Sequence, residues 1–326
     1  MQTTKEKIIE YIKNKEPVSA KDLIDYIGIS KQAIFVHLKN LIENKMICKI
    51  GTPPKVFYAL NKEKDINKDI VIDENIKREI NNNFLYISPI GEIKEGFDGF
   101  VFFCNHNNLD PVKTANEYIN TLEKHNKYKL KNGLIDGMHK IKSSFKTINL
   151  DELFYLDFYA IERFGKTKLG QLLLYSKQSQ NKKMIKDLSS VIKEKVMKII
   201  KEYDIDAVCF IPPTVKREIQ LMKELENNLK LPLKKIKVVK IKSDIAIPQK
   251  TLNKIKDRIE NAEKTFLIND KGYYKNILII DDAVGSGATL NIVAGKIKQA
   301  KLLNKGKIIG LAITGSFKGF DVISEV

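Results

Sequence analysis

The stretch that most constrains this chain is residues 277–290, Ile-Leu-Ile-Ile-Asp-Asp-Ala-Val-Gly-Ser-Gly-Ala-Thr-Leu. Its first four residues are apolar and three of them are β-branched, which suits a strand buried on both faces in the interior of a parallel sheet. Asp281 and Asp282 are then expected at the carboxyl end of that strand, where open α/β sheets bind their ligands. Gly285, Ser286, Gly287 and Ala288 follow as a turn without bulky side chains. Backbone N–H groups of such a turn can converge on an anion, the next helix adds its partly positive N-terminus, and Ser286 and Thr289 supply hydroxyls.

Two carboxylates beside an anion cradle repel a second phosphate group but suit vicinal hydroxyls, so the implied ligand is a sugar phosphate, and phosphoribosyl pyrophosphate (PRPP) in particular. The segment resembles the PRPP motif of the type I phosphoribosyltransferases: an apolar strand, Asp-Asp, a small loop, and Thr-Gly-x-Thr. Ser286-Gly287-Ala288-Thr289 fits that ending with Ser for the first Thr, a change that keeps the hydroxyl. The resemblance implies that Asp281 and Asp282 hold the ribose hydroxyls. It assigns the 5-phosphate to the loop of Ala283, Val284, Gly285, Ser286, Gly287, Ala288 and Thr289. Mg2+ is expected to arrive with PRPP, with no metal site made of protein ligands alone. Two plainer readings remain, a buried strand ending in a capped helix and the second acidic motif of an ATPase. An ATPase also needs Gly-x-x-x-x-Gly-Lys-Ser/Thr; the nearest approach, Gly165-Lys166-Thr167, has Ala160 where the first glycine belongs.

At 326 residues the chain can hold two or three domains with real cores. No apolar run approaches the length of a membrane span and the N-terminus lacks a signal-peptide core, so a cytoplasmic protein with no membrane partner is expected. Cys48, Cys104 and Cys209 are far apart and form no Cys-x-x-Cys pair, so neither a disulfide framework nor a zinc site is expected. A net charge of +17 and a pI near 9.4 favour polyanionic partners. The excess is mostly lysine in a chain also rich in Ile and Asn, so the charge points to nucleic acid only where a shaped element accompanies it.

Residues 1–62 supply that element. Ile8, Ile9 and Ile12 mark one face of a first helix, and Ser19 with Asp22 forms a capping box for a second helix carrying Leu23 and Ile27. Gly28 makes the turn. Ser30 caps a third helix whose Ile34, Leu38 and Leu41 face inward, leaving Lys31, Gln32, Phe35, Val36 and Lys39 on the opposite side. Two short strands, 47–50 and 55–60, flank Gly51-Thr52-Pro53-Pro54 and carry Lys49 and Lys55 near the tip. Three helices and a hairpin in this order resemble a winged helix-turn-helix, with Gly-Ile-Ser-Lys-Gln-Ala-Ile as its turn. The resemblance implies double-stranded DNA as partner, the third helix entering the major groove and the wing touching the backbone. Phe35 and Val36 suit a protein partner as well as thymine methyls.

Residues 63–165 are expected to form a small α+β middle domain that connects or dimerises the chain. Residues 62–68 read as a charged linker, 85–93 as a hairpin turning through Ser88-Pro89-Ile90-Gly91, and Asp110-Pro111 as the start of a helix. The aromatic segment 97–104 reads as core, and His106 as structural. None of the four histidines, His37, His106, His125 and His139, shows metal-ligand spacing.

From residue 166 the pattern is that of a doubly wound parallel α/β sheet: helix 182–202, strand 207–211, helix 215–229, strand 235–241, the 277–280 strand, helix 288–303 and strand 307–314. This region resembles the ComF-type phosphoribosyltransferase-like proteins. The resemblance rests on Phe210-Ile211-Pro212-Pro213 with Lys216, Arg217 and Gln220, on Pro248-Gln249, Leu252, Arg258, Asn261 and Phe266, and on the PRPP motif. It implies a pyrophosphate loop after strand 207–211, with Pro213, Thr214, Lys216 and Arg217 as candidates. The alternative for Lys216 and Arg217 is a solvated first helical turn. The chain departs from those proteins in having no cysteine-rich zinc segment and no Arg-Gly-Phe-Asn before Gln220. Residues 242–275 correspond to the segment that closes over PRPP in catalytic relatives, and no catalytic base is identifiable in them.

Two function classes follow. One is a PRPP- or nucleotide-responsive DNA-binding regulator, expected to act as a homodimer. The other is an enzyme that transfers phosphoribose from Mg-PRPP to a nucleobase or other nitrogen acceptor. The regulator is preferred, because little chain follows the last strand to build a base-recognising hood, which would have to come from residues 151–178 or from the middle domain.

Overall fold

The computed structural model of the chain describes residues 2–44, 46–61, 70–213, 215–241 and 255–317, with Ile255 and Arg258 described by their backbone alone. The expected linker, Thr214, Pro248, Gln249 and Leu252 lie outside these residues, as does the side chain of Arg258. By contacts the chain divides into two compact units, Met1–Ile70 and Val71–Val326.

In the first unit, helix α1 (Thr4–Lys15) opens on a capping box. The Glu6 N–H donates to Thr3 Oγ1 and the Thr3 N–H donates to the Glu6 carboxylate at 2.7 Å. Strand β1 (Val18–Ser19) leads into α2 (Ala20–Ile27), which repeats the device with Ser19 and Asp22. This helix stops at Gly28, whose φ of +74° suits a residue without a Cβ. Helix α3 (Lys31–Glu43) buries Ile34, Leu38 and Leu41. The hairpin of β2 (Ile47–Thr52) and β3 (Lys55–Leu60) completes a three-stranded sheet in the order β1-β3-β2. Ile8, Ile12, Leu23, Leu38, Ile47 and Tyr58 belong to one separate core.

The second unit begins with α4 (Glu74–Asn83), the hairpin β4 (Leu85–Ile87) and β5 (Ile93–Glu95), α5 (Gly96–His106) and α6 (Pro111–Asn126). Asp110 caps α6, its carboxylate accepting from Lys113 N–H. The expected aromatic core is present: Phe97, Phe100 and Cys104 of α5 are buried, and Phe84 packs edge-on to Phe100 and Tyr118. Next come β6 (Ile135–Asp136), α7 (Met138–Ser144), β7 (Glu152–Phe158), β8 (Ala160–Ile161), β9 (Gly165–Lys166), α8 (Lys168–Ser179), α9 (Lys182–Glu202) and β10 (Ala207–Phe210). The order closes with α10 (Leu221–Leu229), β11 (Lys234–Lys235), β12 (Val238–Lys240), α11 (Ile255–Thr265), β13 (Phe266–Ile268), β14 (Ile277–Val284), α12 (Ala288–Gln299) and β15 (Ile308–Gly315).

Six strands form one mixed sheet in the order β11-β10-β14-β15-β7-β6, parallel throughout except for the edge strand β6. Leu278, Ile280, Ile309 and Leu311 point to one face and pack with α8, α9 and α10 through Leu172, Leu188, Ile192 and Leu225. Alternate residues point to the other face, where α12 and α7 lie; a Cβ on Gly287 at the start of α12 would meet Ile141 of α7 and Leu153 of β7. Helices thus cover both faces, as the α/β pattern predicts.

Three expectations change. Strand β7 (Glu-Leu-Phe-Tyr-Leu-Asp-Phe) lies within the expected middle section, yet it is hydrogen-bonded to β15 over Glu152 to Phe158. A boundary at residue 165 therefore runs through one packed sheet, because β7 is apolar on both faces and is stable only as an interior strand. The strand expected at 235–241 is split: β11 joins the main sheet, while β12 pairs antiparallel with β13 in a separate ribbon. The helix expected from residue 215 starts only at Leu221.

Candidate functional site

Strand β14 pairs with β10 from Ile277 to Ile280 and with β15 as far as Val284. Asp281 and Asp282 therefore lie inside the strand, one register step beyond the end of β10, rather than after a strand that stops at Ile280. The cause is β15, whose Ala312, Thr314 and Gly315 pair with Asp281, Ala283 and Val284. On the other flank the last tie is Ile211 N–H to the Ile280 carbonyl at 2.9 Å, after which the chain of β10 turns away.

This is also where the winding of the sheet reverses. From β10 the chain proceeds through α10 to β11 on one side; from β14 it proceeds through α12, on the opposite face, to β15 on the other side. The two loops that diverge at such a switch point leave a crevice at the carboxyl edge, the usual ligand position in open α/β sheets. The expected site residues fall on these two loops.

The strand period sends the two acids to opposite faces. Asp282, in phase with Leu278 and Ile280, meets α8: Lys177 Nζ lies 2.6 Å from its Oδ2, with the two side chains 23% and 17% exposed. Asp281, in phase with Ile279, faces the other side of the sheet, and its negative charge favours the protonated form of Lys240 on β12. Burial is the larger influence on Lys240 and pushes its pKa down from 10.5 to about 8. Asp281 Oδ1 also accepts from the Asp282 N–H at 2.8 Å.

After Val284 the loop closes tightly. Gly287 has φ +77° and caps α12 without a side-chain hydrogen bond. A Cβ there would lie 2.8 Å from Ile141 Cγ1, so both the backbone and the packing require glycine. Ser286 is buried, and its Oγ accepts from Ala288 N–H at 3.4 Å. Ala283, Gly285 and Thr289 are part-exposed, and Ala288 is buried. Gly287 itself offers no cap, so beyond the long Ala288–Ser286 contact the first-turn N–H groups of α12 point toward the crevice end of the sheet.

After β10, residues 211–213 and 215–220 form no helix or strand. Lys216 and Pro213 are exposed. Arg217 Nη1 donates to the carbonyl of Lys177, in the last turn of α8, and Ile219 N–H donates to Gln180 Oε1. Gln220 Nε2 donates to the Arg217 carbonyl at 2.9 Å. These ties to the end of α8 hold residues 215–220 out of the expected helix. They also bring together three segments distant in sequence: the acid strand, the candidate pyrophosphate loop and the end of α8.

Sequence reasoning missed Lys177 and Lys240. Each lies on an element outside the motif: the packing of α8 over β14 identifies Lys177, and the charge of Asp281 acting on Lys240 of β12 identifies the other. Two buried hydroxyls were also missed: Ser176 Oγ and Thr314 Oγ1 have no hydrogen-bond partner among the described residues. Ser176 precedes Lys177, and Thr314 pairs with Ala283. Among the described residues no group of three or more His, Cys, Asp and Glu is arranged to hold a metal ion, and no helix is long and apolar enough to cross a membrane.

In the first unit, Lys31, Gln32, Phe35, Val36 and Lys39 are exposed along α3, with Phe35 and Val36 at 43% and 67%. Lys39 also forms a surface pair with Glu43 at 3.8 Å. Lys49 and Lys55 are exposed on β2 and β3. The acidic residues Glu10, Asp22 and Asp25 gather elsewhere, around an open cleft between α1 and α2 that also contains Tyr11 and Tyr26.

No family model matches the sequence, and no curated protein does. Among solved structures the chain is similar to a hypoxanthine phosphoribosyltransferase from Staphylococcus aureus, with 16% identity over 40% of this chain and 74% of that one. The TM-score is 0.23, a level at which the likeness carries no argument about fold or function.

Proposed function

We propose that the second unit binds a sugar phosphate, PRPP or a nucleoside 5-monophosphate, in the crevice between β10 and β14, and that the chain is a ligand-responsive DNA-binding regulator. The observation that carries the ligand reading is the coincidence of the sheet's switch point with the Asp281-Asp282 strand end and the uncapped start of α12. In this reading the α12 N-terminus and the 285–289 backbone take the 5-phosphate, and the two carboxylates accept the ribose hydroxyls. Mg2+ is carried by the diphosphate of the ligand, with the hard oxygens of Asp281 and Asp282 within the same crevice.

The regulator reading is supported by the first unit, whose α3 presents Lys31, Gln32 and Lys39 outward from a core of its own. A reader of this size contacts one half-site, so a homodimer supplies the second. Ligand binding then changes DNA affinity, and DNA changes ligand affinity by the same factor.

The test is calorimetric titration of the full chain with Mg-PRPP, in the parent and in the Asp281→Asn, Asp282→Asn variant, together with DNA affinity measured with and without ligand. The parent is expected to bind PRPP, the variant to bind it about 2 to 4 kcal/mol more weakly, and DNA affinity to change with ligand only in the parent. Unchanged PRPP affinity in the variant refutes the site. DNA affinity that does not respond to bound PRPP refutes the regulator and leaves the transferase, which release of pyrophosphate with a nucleobase present would establish.

A further inference from the structure

The acids of the crevice are not bare. Asp282 is ion-paired with Lys177 of α8, and the charge of Asp281 acts on the ammonium of Lys240. A ligand whose hydroxyls are to reach Asp282 must share that carboxylate with an ammonium 2.6 Å away. Lys177 is also held from behind: Arg217 of the β10 loop donates to its carbonyl, so the turn that carries the lysine is fastened to the loop proposed for a diphosphate.

We propose that Lys177 is a specificity-determining residue that exchanges partners: on entry of a sugar phosphate bearing an anionic group at C1, its ammonium passes from Asp282 to that anion, and the carboxylate takes up the vicinal hydroxyls. This rests on the sugar-phosphate reading of the crevice. A flexible stem of four carbons allows the ammonium to turn without moving α8, and an ammonium serves phosphate as a point charge. With an anionic C1 substituent the exchange keeps a charged partner for the ammonium. With a neutral C1 hydroxyl there is no anion to draw the ammonium away, so it stays on Asp282 and competes with the sugar for that carboxylate. The lysine thereby favours diphosphate ligands on both counts.

The experiment compares Mg-PRPP with ribose 5-phosphate, titrated calorimetrically into the full chain in the parent and in the Lys177→Met and Lys177→Arg variants. Urea unfolding of each protein reports whether the variant is intact. Lys177→Met is expected to weaken Mg-PRPP by about ten- to a hundredfold, the range for losing one charge-assisted contact, and to leave ribose 5-phosphate unchanged or tighter. Lys177→Arg, which keeps the charge, is expected to retain the preference for PRPP. Equal weakening of both ligands, or no change in either, overturns the inference while the sugar-phosphate reading stands. A parent that binds neither ligand overturns both.

Discussion

Replacing Gly287 by Ala tests how the anion loop is held. At φ +77° an L-residue is in the left-handed region, which costs about 1 to 2 kcal/mol. The new methyl would also stand 2.8 Å from Ile141 Cγ1 and 3.2 Å from its Cδ1. Ile141 is fully buried and cannot swing into solvent, and forcing an extra carbon into a packed core adds about 1 to 3 kcal/mol. The expected destabilisation is therefore about 2 to 5 kcal/mol, read as a lower urea midpoint at an unchanged slope. The second part is removable: Ile141→Ala deletes both atoms that clash. The double variant should recover about 1 to 3 kcal/mol relative to the sum of the single changes. A shift below about 0.5 kcal/mol for Gly287→Ala, or strictly additive single changes, would refute the account of α7 packed against the loop.

Three further outcomes are expected. Lys240, pushed to about 8 by burial, binds fewer protons in the folded than in the unfolded chain between pH 8 and its ordinary 10.5, so stability should rise with pH through that window; the rise should vanish in Lys240→Met, and a parent curve that is flat or falls there counts against the buried position. Cys104 and Cys209 are fully buried, with Cys104 pushed to about 11 and Cys209 also raised by burial; at neutral pH a thiol reagent should modify only Cys48 in the native chain and all three cysteines in urea. Residues 1–62 carry eleven lysines against six acidic residues, a net +5; Lys31→Ala with Gln32→Ala should reduce sequence preference, and Lys55→Ala should lower the salt slope of DNA binding by about one, whereas unaltered DNA binding by a chain lacking this unit excludes it as the reader.

Much of the fold is legible locally. The capping box at Ser19, the Asp110-Pro111 start and the 182–202 helix are written in residues three or four apart, because caps and helix faces are short-range features. The run Ile277 to Ile280 is likewise recognisable as a buried strand, and Gly287 as a position for a residue without a side chain. At the anion loop, local chemistry and global packing make the same demand.

What only the tertiary structure decided concerns partners distant in sequence. Strand β14 continues through Asp281 and Asp282 because β15 pairs with it there, and β7 belongs to the sheet because β15 offers its other edge. The helix after Pro213 begins late because Arg217 and Ile219 are tied to the end of α8. Lys177 and Asp282, 105 positions apart, become an ion pair only once α8 lies over the face to which the strand period directs Asp282. A sequence shows which side of a strand a residue faces. It does not show which element covers that side, since that depends on strand order, and strand order is selected by the burial of whole faces rather than by any local run of residues.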